Sequence, residues 1–434
     1  MIERTSIAKL SEFAEQKVTI CGWTEKIRDQ KTVQFIVLRD ETGSVQLVRE
    51  KVEGDSVCSM ISDLSTDSVV QVIGVVKIDP RVKLGGLEVQ IEDVVVLSKA
   101  DPIPINEETS LDKRLDWRFI DLRSSRNRLI FEVQTELERS YRTTWEEEGF
   151  IEIHSPKLMG AASESGAELF RVDYFDTSAY LAQSPQFYKQ MAMAAGFGKV
   201  FEIGPVFRAN PSFTSRHDTE FTSVDVELSW VDSHEDVMNF EQHLLSRMLK
   251  DISDKFKDEI QSMFGVDVVV PKLPFPRIKL ADAIEIVERS GHKIERTDGD
   301  LDPEGERRIA DYVLKEFGHQ FVFLTDYPAT VRPYYHMRHA EDQTLTKSFD
   351  LVWKGLEITT GAQREHRYDI LVNQAIEKGL ELPPLQFYLD FFRYGMPPHG
   401  GFGMGLTRVL MILLGLKNVR EVTFLYRGPN RLTP

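Results

Sequence analysis

Only 29 residues follow Gly405 in a chain of 434, and that position limits what the stretch around it can be. GGFGMGLTRVLMILLGL, Gly400 to Leu416, reads as a glycine-rich turn running into an apolar helix. Glycines before a helix N-terminus let backbone N–H groups approach an anion. A dinucleotide fold is excluded by position, because its strand, crossover helix, second strand and acidic residue take roughly 30 residues in all. Arg408 lies in the first helical turn, where a cation opposes the helix dipole unless an anion sits beside it. Two readings stand: a tight packing turn, and an anion cradle in a fold that is nearly complete.

With 41% hydrophobic residues, the chain can bury the cores of two or three domains. Its 53 basic and 69 acidic residues give a net charge of −16, which argues against non-specific coating of nucleic acid and leaves room for a locally basic groove. Apolar runs such as VLMILLGL fall far short of the roughly 18 residues that span a bilayer, and no secretory segment is seen, so no membrane partner is expected. Cys21 and Cys58 lack metal-ligand spacing and make no disulfide framework. These features suggest the cytoplasm.

Residues 1–103 alternate short strand-like runs with turns: VTICGW, VQFIVLRD, SVQLV, SVVQVIGVVKI and LEVQIEDVVVL. The Glu-Thr-Gly turn between the second and third predicts a hairpin. About five strands without a long helix suit an OB-fold β-barrel, whose sheet face binds single-stranded nucleic acid. Phe35, Gln46 and Arg28 are candidates for base stacking, a base-edge hydrogen bond and a phosphate contact. A core position for Phe35 is the competing reading. DPIPINEETSLDKRLDWRFIDLR marks a hinge over 104–125. From 126 to 434 helical patterns, among them LIFEVQTELERSYRTTWEEEG, mix with strands that pair antiparallel, which predicts an α+β domain.

Four stretches of that domain carry chemistry. In FEIGPVFRANPSFTSRHDTEFTSVDVELSW, Val224, Val226 and Leu228 alternate with Asp225, Glu227 and Ser229, so one sheet face is apolar and the other acidic. An acidic face can simply meet water. Here Arg208, Arg216, His217 and Phe221 flank it, and guanidinium groups bind phosphate while an aromatic face stacks on a base. In SFDLVWKGLEITTGAQREHR, a two-residue Lys354-Gly355 turn pairs Val352 with Glu357 and makes Asp350 and Glu357 diagonal neighbours, roughly 7 to 8 Å apart. That spacing suits either a small hard cation or two solvated acids. Thr360 and Arg364 lie just beyond. In AQSPQFYKQ, Ser184 as N-cap and Pro185 at the first helical position put Gln186 and Lys189 on one face. MGAASESGAELF, with Glu164 and Glu168, is a small-residue loop able to serve as a lid or an ordinary surface loop.

Together these stretches resemble the signature of class II aminoacyl-tRNA synthetases: EEGFIEIHSPKL with Pro156, FEIGPVFRANPSFTSRHDTEF with Arg208, and GFGMGLTR with Arg408. The barrel is similar to the anticodon-binding domain of the subgroup that charges aspartate, asparagine and lysine. QSPQFYKQ, FDLVWKGLEITTGAQREHRYDI and FRYGMPPHGGFGMG resemble the aspartyl enzymes of archaeal and eukaryotic type. The resemblance implies a catalytic domain built on an antiparallel sheet flanked by helices. It implies Arg208 on the α-phosphate of ATP, His217 and Arg408 on the outer phosphates, and Phe221 stacked on adenine opposite Arg408, with Arg216, Glu357 and Gly405 completing the ATP site. Asp350, Glu357 and Thr360 would hold Mg²⁺. Lys189 and Arg364, with Gln186, would take the carboxylates of L-aspartate, and Asp225 and Glu168 its ammonium group. Arg28, Phe35 and Gln46 would read the anticodon of tRNA-Asp, and Pro156 would lie at a homodimer interface.

The implied reaction is in-line attack of the aspartate carboxylate on the α-phosphorus of ATP, then transfer to the 3′ end of tRNA. Such chemistry needs positioning and charge neutralisation rather than a nucleophilic side chain. Two cations matched to two carboxylates favour aspartate over asparagine. An asparaginyl enzyme or a non-catalytic tRNA-binding paralogue are the alternatives. Asn210 and Thr407 stand where relatives often carry acids, and Glu25 lies in the barrel region bearing on tRNA-Asn, whose charging stays open.

Overall fold

Residues 3–106, 108–161, 168–211, 214–294 and 299–434 are described by the computed structural model. The chain divides into two compact units, 1–113 and 114–434, and the division falls inside the stretch read as a hinge. Within the second unit Arg118 is buried and donates to the carbonyls of Glu421 (2.8 Å), Thr423 (2.9 Å) and Phe424 (3.2 Å), so the latter part of that stretch is built into the second fold.

In the first unit, period-two alternation closes a barrel. Strands β1 (Lys17–Asp29), β2 (Val33–Arg39), β3 (Ser44–Glu50), β4 (Val69–Ile78) and β5 (Leu87–Ser98) pair in the order β1-β2-β3-β5-β4. Ile20, Ile36, Leu38, Leu47, Val72 and Val89 point inward to one core, and the residues between them face out. The β2–β3 hairpin is fixed by Asp40, whose Oδ1 accepts from the amides of Thr42 (2.7 Å) and Gly43 (3.1 Å).

The second unit is built on a mixed sheet. In chain order its strands are β6 (Ile151–Glu152), then β7 (Leu158–Met159), β8 (Arg171–Tyr174) and β9 (Thr177–Leu181) in a small separate sheet. β10 (Lys199–Phe207), β11 (Glu220–Ser229), β12 (Arg277–Lys279), β13 (Phe321–Thr325), β14 (Ser348–Trp353), β15 (Leu356–Gln363) and β16 (His399–Gly405) follow. Among the described residues the large sheet runs β12-β13-β14-β15-β16-β11-β10-β6. It is antiparallel except where β6 joins β10 and β12 joins β13.

One face of this sheet packs on the helices Ser125–Glu147 and His234–Phe264. Val224, Val226, Phe402 and Met404 join Leu137, Trp145 and Leu245 in that core, each large side chain contributing about 1.5–3 kcal/mol on burial. Ser233 and Asp236 form a capping box at the start of the second helix, and Gly265 in the left-handed region ends it.

The glycine-rich stretch is not a turn. Gly401, Gly403 and Gly405 alternate with Phe402 and Met404 along β16, an inner strand between β15 and β11, and the helix Leu406–Leu413 follows directly. The large residues enter the core. The glycines fall on the opposite face.

Candidate active site

That opposite face floors a cavity of about 350 Å³. Gly401 lies opposite Glu227, and Gly403 lies between Asp225 on one side and Thr360 on the other. A Cβ on Gly401 would stand 2.1 Å from the Val226 carbonyl oxygen and 2.4 Å from the Glu227 carboxylate. Glycine is thus required by close approach of the buried acid rather than by turn geometry.

At one end lies a buried ionic cluster. Both acids of the alternating face are withdrawn from water, which decides against the solvated reading. Lys189, on the helix Gln186–Ala194, donates to Asp225 Oδ1 (3.0 Å) and the Phe402 carbonyl (3.1 Å), and stands 3.4 Å from Glu227. Arg364 donates through Nε and Nη2 to Glu227 (3.0 and 3.4 Å) and through Nη2 to the Gly401 carbonyl (2.9 Å). Burial alone would raise the Glu227 carboxyl, but the charges of Arg364 and Lys189 bring it below its ordinary value. The two cations are therefore not bare charges. Each is matched to a carboxylate already. Gln186 faces the same cavity and donates to Gln190 (2.9 Å); the helix begins at Gln186, one residue after the expected start. Glu168, with φ of 60°, also lines it. Glu164 lies outside the described residues.

The other end is more open and carries cations. The Arg208 guanidinium lies 5.4 Å from the centre of the Phe221 ring. Arg408, third residue of the helix that follows β16, donates to the Glu357 carbonyl (3.1 Å). Arg216 pairs with Glu306 at 3.2 Å. His217 is held below its ordinary pKa by burial and by Arg408, Arg208 and Arg216, against an opposing pull from Glu168. Its imidazole stays neutral near neutral pH. Glu306 is pushed up to about 7 by burial and by Glu357, and Asp218, beneath Thr407 and Arg408, is pushed up to about 7 by burial.

The hairpin at Lys354-Gly355 has positive φ at both positions (48° and 80°), the type I′ signature, and Val352 pairs with Glu357 as expected. The next step of the ladder departs. A bulge leaves Ile358 without an opposite number, so Leu351 meets Thr359 and Asp350 meets Thr360. Glu357 and Thr360 consequently share a face, with Thr360 Oγ1 donating to Glu357 Oε1 at 3.0 Å. Asp350, two residues from Val352 on the regular β14, stays the diagonal neighbour of Glu357, and the bulge changes only its direct partner, to Thr360. Asp350 is buried, does not line the cavity, and pairs with Arg332 at 2.7 Å. Hard oxygen donors at Glu357 and Thr360 suit Mg²⁺ completed by phosphate oxygens. Among the described residues no cluster of three or more His, Cys, Asp or Glu side chains could hold a metal by itself.

Apart from Asp350, every residue expected to hold ATP, aspartate or metal lines this one cavity. Pro156 is exposed elsewhere, near edge strand β6. Glu227 was seen on the acidic face without a role. Arg332, Tyr335 and His336 also line the cavity, from an irregular segment with no periodicity to reveal them. In the barrel, Arg28 lies 5.2 Å from the Phe35 ring centre and donates to Gln46 (3.4 Å), which donates to Glu88 (3.0 Å). Phe35 points outward from β2, between inward Gln34 and Ile36, and lines a depression with Glu25, Lys26 and Arg81. It is not a core residue.

Comparison with known proteins agrees with both units. Residues 18–97 match the OB-fold nucleic acid binding domain, and residues 110–427 match the tRNA synthetases class II (D, K and N). The chain is 42% identical to an aspartate–tRNA(Asp/Asn) ligase of Aeropyrum pernix (99% of this chain, 98% of the relative). It is 41% identical to an aspartate–tRNA(Asp) ligase of Pyrococcus abyssi (98% and 97%). Its fold matches the asparaginyl-tRNA synthetase of Pyrococcus horikoshii, solved with asparaginyl-adenylate, with a TM-score of 0.93 at 34% identity over the whole of both chains. With its OB-fold barrel, its antiparallel-rich sheet and matches that extend along nearly its full length, the chain belongs to the class II tRNA synthetases of the D, K and N group.

Proposed function

We propose that the chain is an aspartate–tRNA ligase that activates L-aspartate with ATP and transfers it to the 3′ end of tRNA-Asp. The observation that carries this reading is one cavity with a buried, charge-matched end built from Lys189, Asp225, Glu227 and Arg364 and an open cationic end built from Arg208, Arg216, His217 and Arg408. The ammonium group of aspartate pairs with Asp225 and Glu168. Sharing Asp225 in this way gives Lys189 capacity for a substrate carboxylate, and Arg364 takes another beside Gln186. Phe221 stacks on adenine, and Arg208 draws the α-phosphate toward the attacking carboxylate. Arg408, Arg216 and neutral His217 receive the pyrophosphate as it leaves, while Gly403 and Gly405 let the nucleotide lie against backbone. The catalytic gain is positioning and charge stabilisation.

Glu357 and Thr360 would hold a Mg²⁺, which would supply positive charge to the phosphates; Asp350 contributes only if Arg332 yields it. Arg28, Phe35 and Gln46 engage the anticodon. The chain acts as a homodimer through the surface around Pro156, where edge strand β6 and the exposed Ile151 (46%) and Leu158 (49%) invite a partner. The cytoplasm is the expected location: both cysteines are free, and among the described residues no helix is long and apolar enough to cross a membrane.

The likeness to an asparaginyl enzyme favours a second reading, activation of asparagine. Mg²⁺-dependent pyrophosphate exchange with each amino acid separates the two. Exchange with aspartate at least about 100-fold more efficient than with asparagine is expected, since a site built for a polar partner rejects the analogue that lacks it. The reverse preference overturns the proposal. Aspartylation of purified tRNA-Asp and tRNA-Asn then shows whether one tRNA or both are charged.

A further inference from the structure

Arg364 has four of its five N–H groups occupied: two by Glu227, one by the Gly401 carbonyl and one, on Nη1, by His336 Nε2 at 3.0 Å. Guanidinium has no acceptor, so the imidazole must accept through Nε2 and carry its proton on Nδ1. His336 is buried, and burial together with Arg364, Arg332 and Lys189 holds it well below its ordinary pKa, so it stays neutral. A backbone bridge between His336 and Arg364 fixes the two residues side by side. The Tyr335 ring lies 5.7 Å from the same guanidinium. Glu227 and Gly401 grip one edge of the guanidinium, and the imidazole fixes the other. Among the described residues a single Nη1 N–H is left for a ligand.

We propose that His336 is a positioning residue for amino-acid selection, orienting the Arg364 guanidinium so that its one remaining N–H meets the substrate carboxylate. This rests on the reading of the cavity as an aspartate-activating site. The imidazole touches the arginine and acts through it. Without an acceptor at Nε2, Arg364 can rotate about its Glu227 contacts, and the pose that reads a carboxylate is lost.

The test is steady-state pyrophosphate exchange by the full chain carrying His336→Leu, His336→Gln or His336→Asn. Removing an acceptor for a charged donor is expected to raise the KM for aspartate on the order of 10-fold or more in His336→Leu, with the KM for ATP within about twofold of the parent. The Gln amide oxygen reaches roughly where Nε2 sits and restores most of the loss; the shorter Asn does not. An unchanged aspartate KM in His336→Leu, an equal rise in the ATP KM, or a Gln variant no better than Asn overturns the proposal. Should His336→Leu lose its cooperative unfolding transition, the comparison of Gln with Asn decides. Parent protein without aspartate-dependent exchange refutes the underlying assignment instead, so the two failures are distinct.

Discussion

The two ends of the cavity differ in how their charges are kept. At the amino-acid end the side chains of Glu227 (0%), Lys189 (2%) and Arg364 (3%) are withdrawn from solvent and tied to one another. At the phosphate end Arg408 (25%) and Glu357 (34%) remain partly exposed and stand 3.9 Å apart. A buried set of charges is rigid because each partner left alone in a low dielectric is strongly unfavourable. A half-exposed set is exchangeable, because water can replace either partner. Discrimination belongs where geometry is fixed, and ATP binding belongs where charges can change partners.

The contrast is broken most directly through stability. Glu227→Gln leaves two buried cations short of a carboxylate, and a loss of about 3–5 kcal/mol is expected in urea unfolding. Glu357→Gln, at the open end, is expected to lose less than about 1 kcal/mol. Equal losses would show that the two ends are not built differently. Chemistry sharpens the same point next. Arg408→Ala is expected to lower the exchange rate about 10²–10³-fold with an unchanged unfolding midpoint and unchanged tRNA affinity, by analogy with the loss of a single charge-stabilising donor. Retained exchange in that variant would remove Arg408 from the site.

The last effect concerns pH and is spread over several units. Asp218, pushed up to about 7, binds its proton more tightly folded than unfolded, so its contribution is fully present below the unfolded carboxyl range and is lost as pH rises through about 7. Stability should decline across roughly pH 4 to 7 with a slope of up to about 1.4 kcal/mol per unit from this group. Asp218→Asn should flatten that decline. Parent and Asp218→Asn curves of equal slope over the interval would contradict the burial assigned to the carboxyl.

Much of this architecture could be read from residue order. The barrel announced itself through alternation, the I′ turn through Lys354-Gly355, and the acidic floor through Asp225 and Glu227 set between valines. The glycine stretch was misread because Gly has no side chain to register on a hydrophobic pattern. The period-two spacing of Gly401, Gly403 and Gly405 around Phe402 and Met404 was nevertheless present. The bulge at Ile358 had no local signal, and without it the face shared by Glu357 and Thr360 could not be placed. Arg332 and His336 gained their partners only through tertiary contact, from a segment whose sequence has neither helical nor strand period.

The unpaired Ile358 has an effect out of proportion to its size. Odd-numbered Glu357 precedes it, and even-numbered Thr360 and Arg364 follow, so one surplus residue acts as a phase shifter that lets two different parities serve a single wall. Any descendant that trims β15 to a regular ladder would turn either the phosphate side or the amino-acid side of that wall inside out. Point substitutions can drift through this strand, but a change of its length cannot.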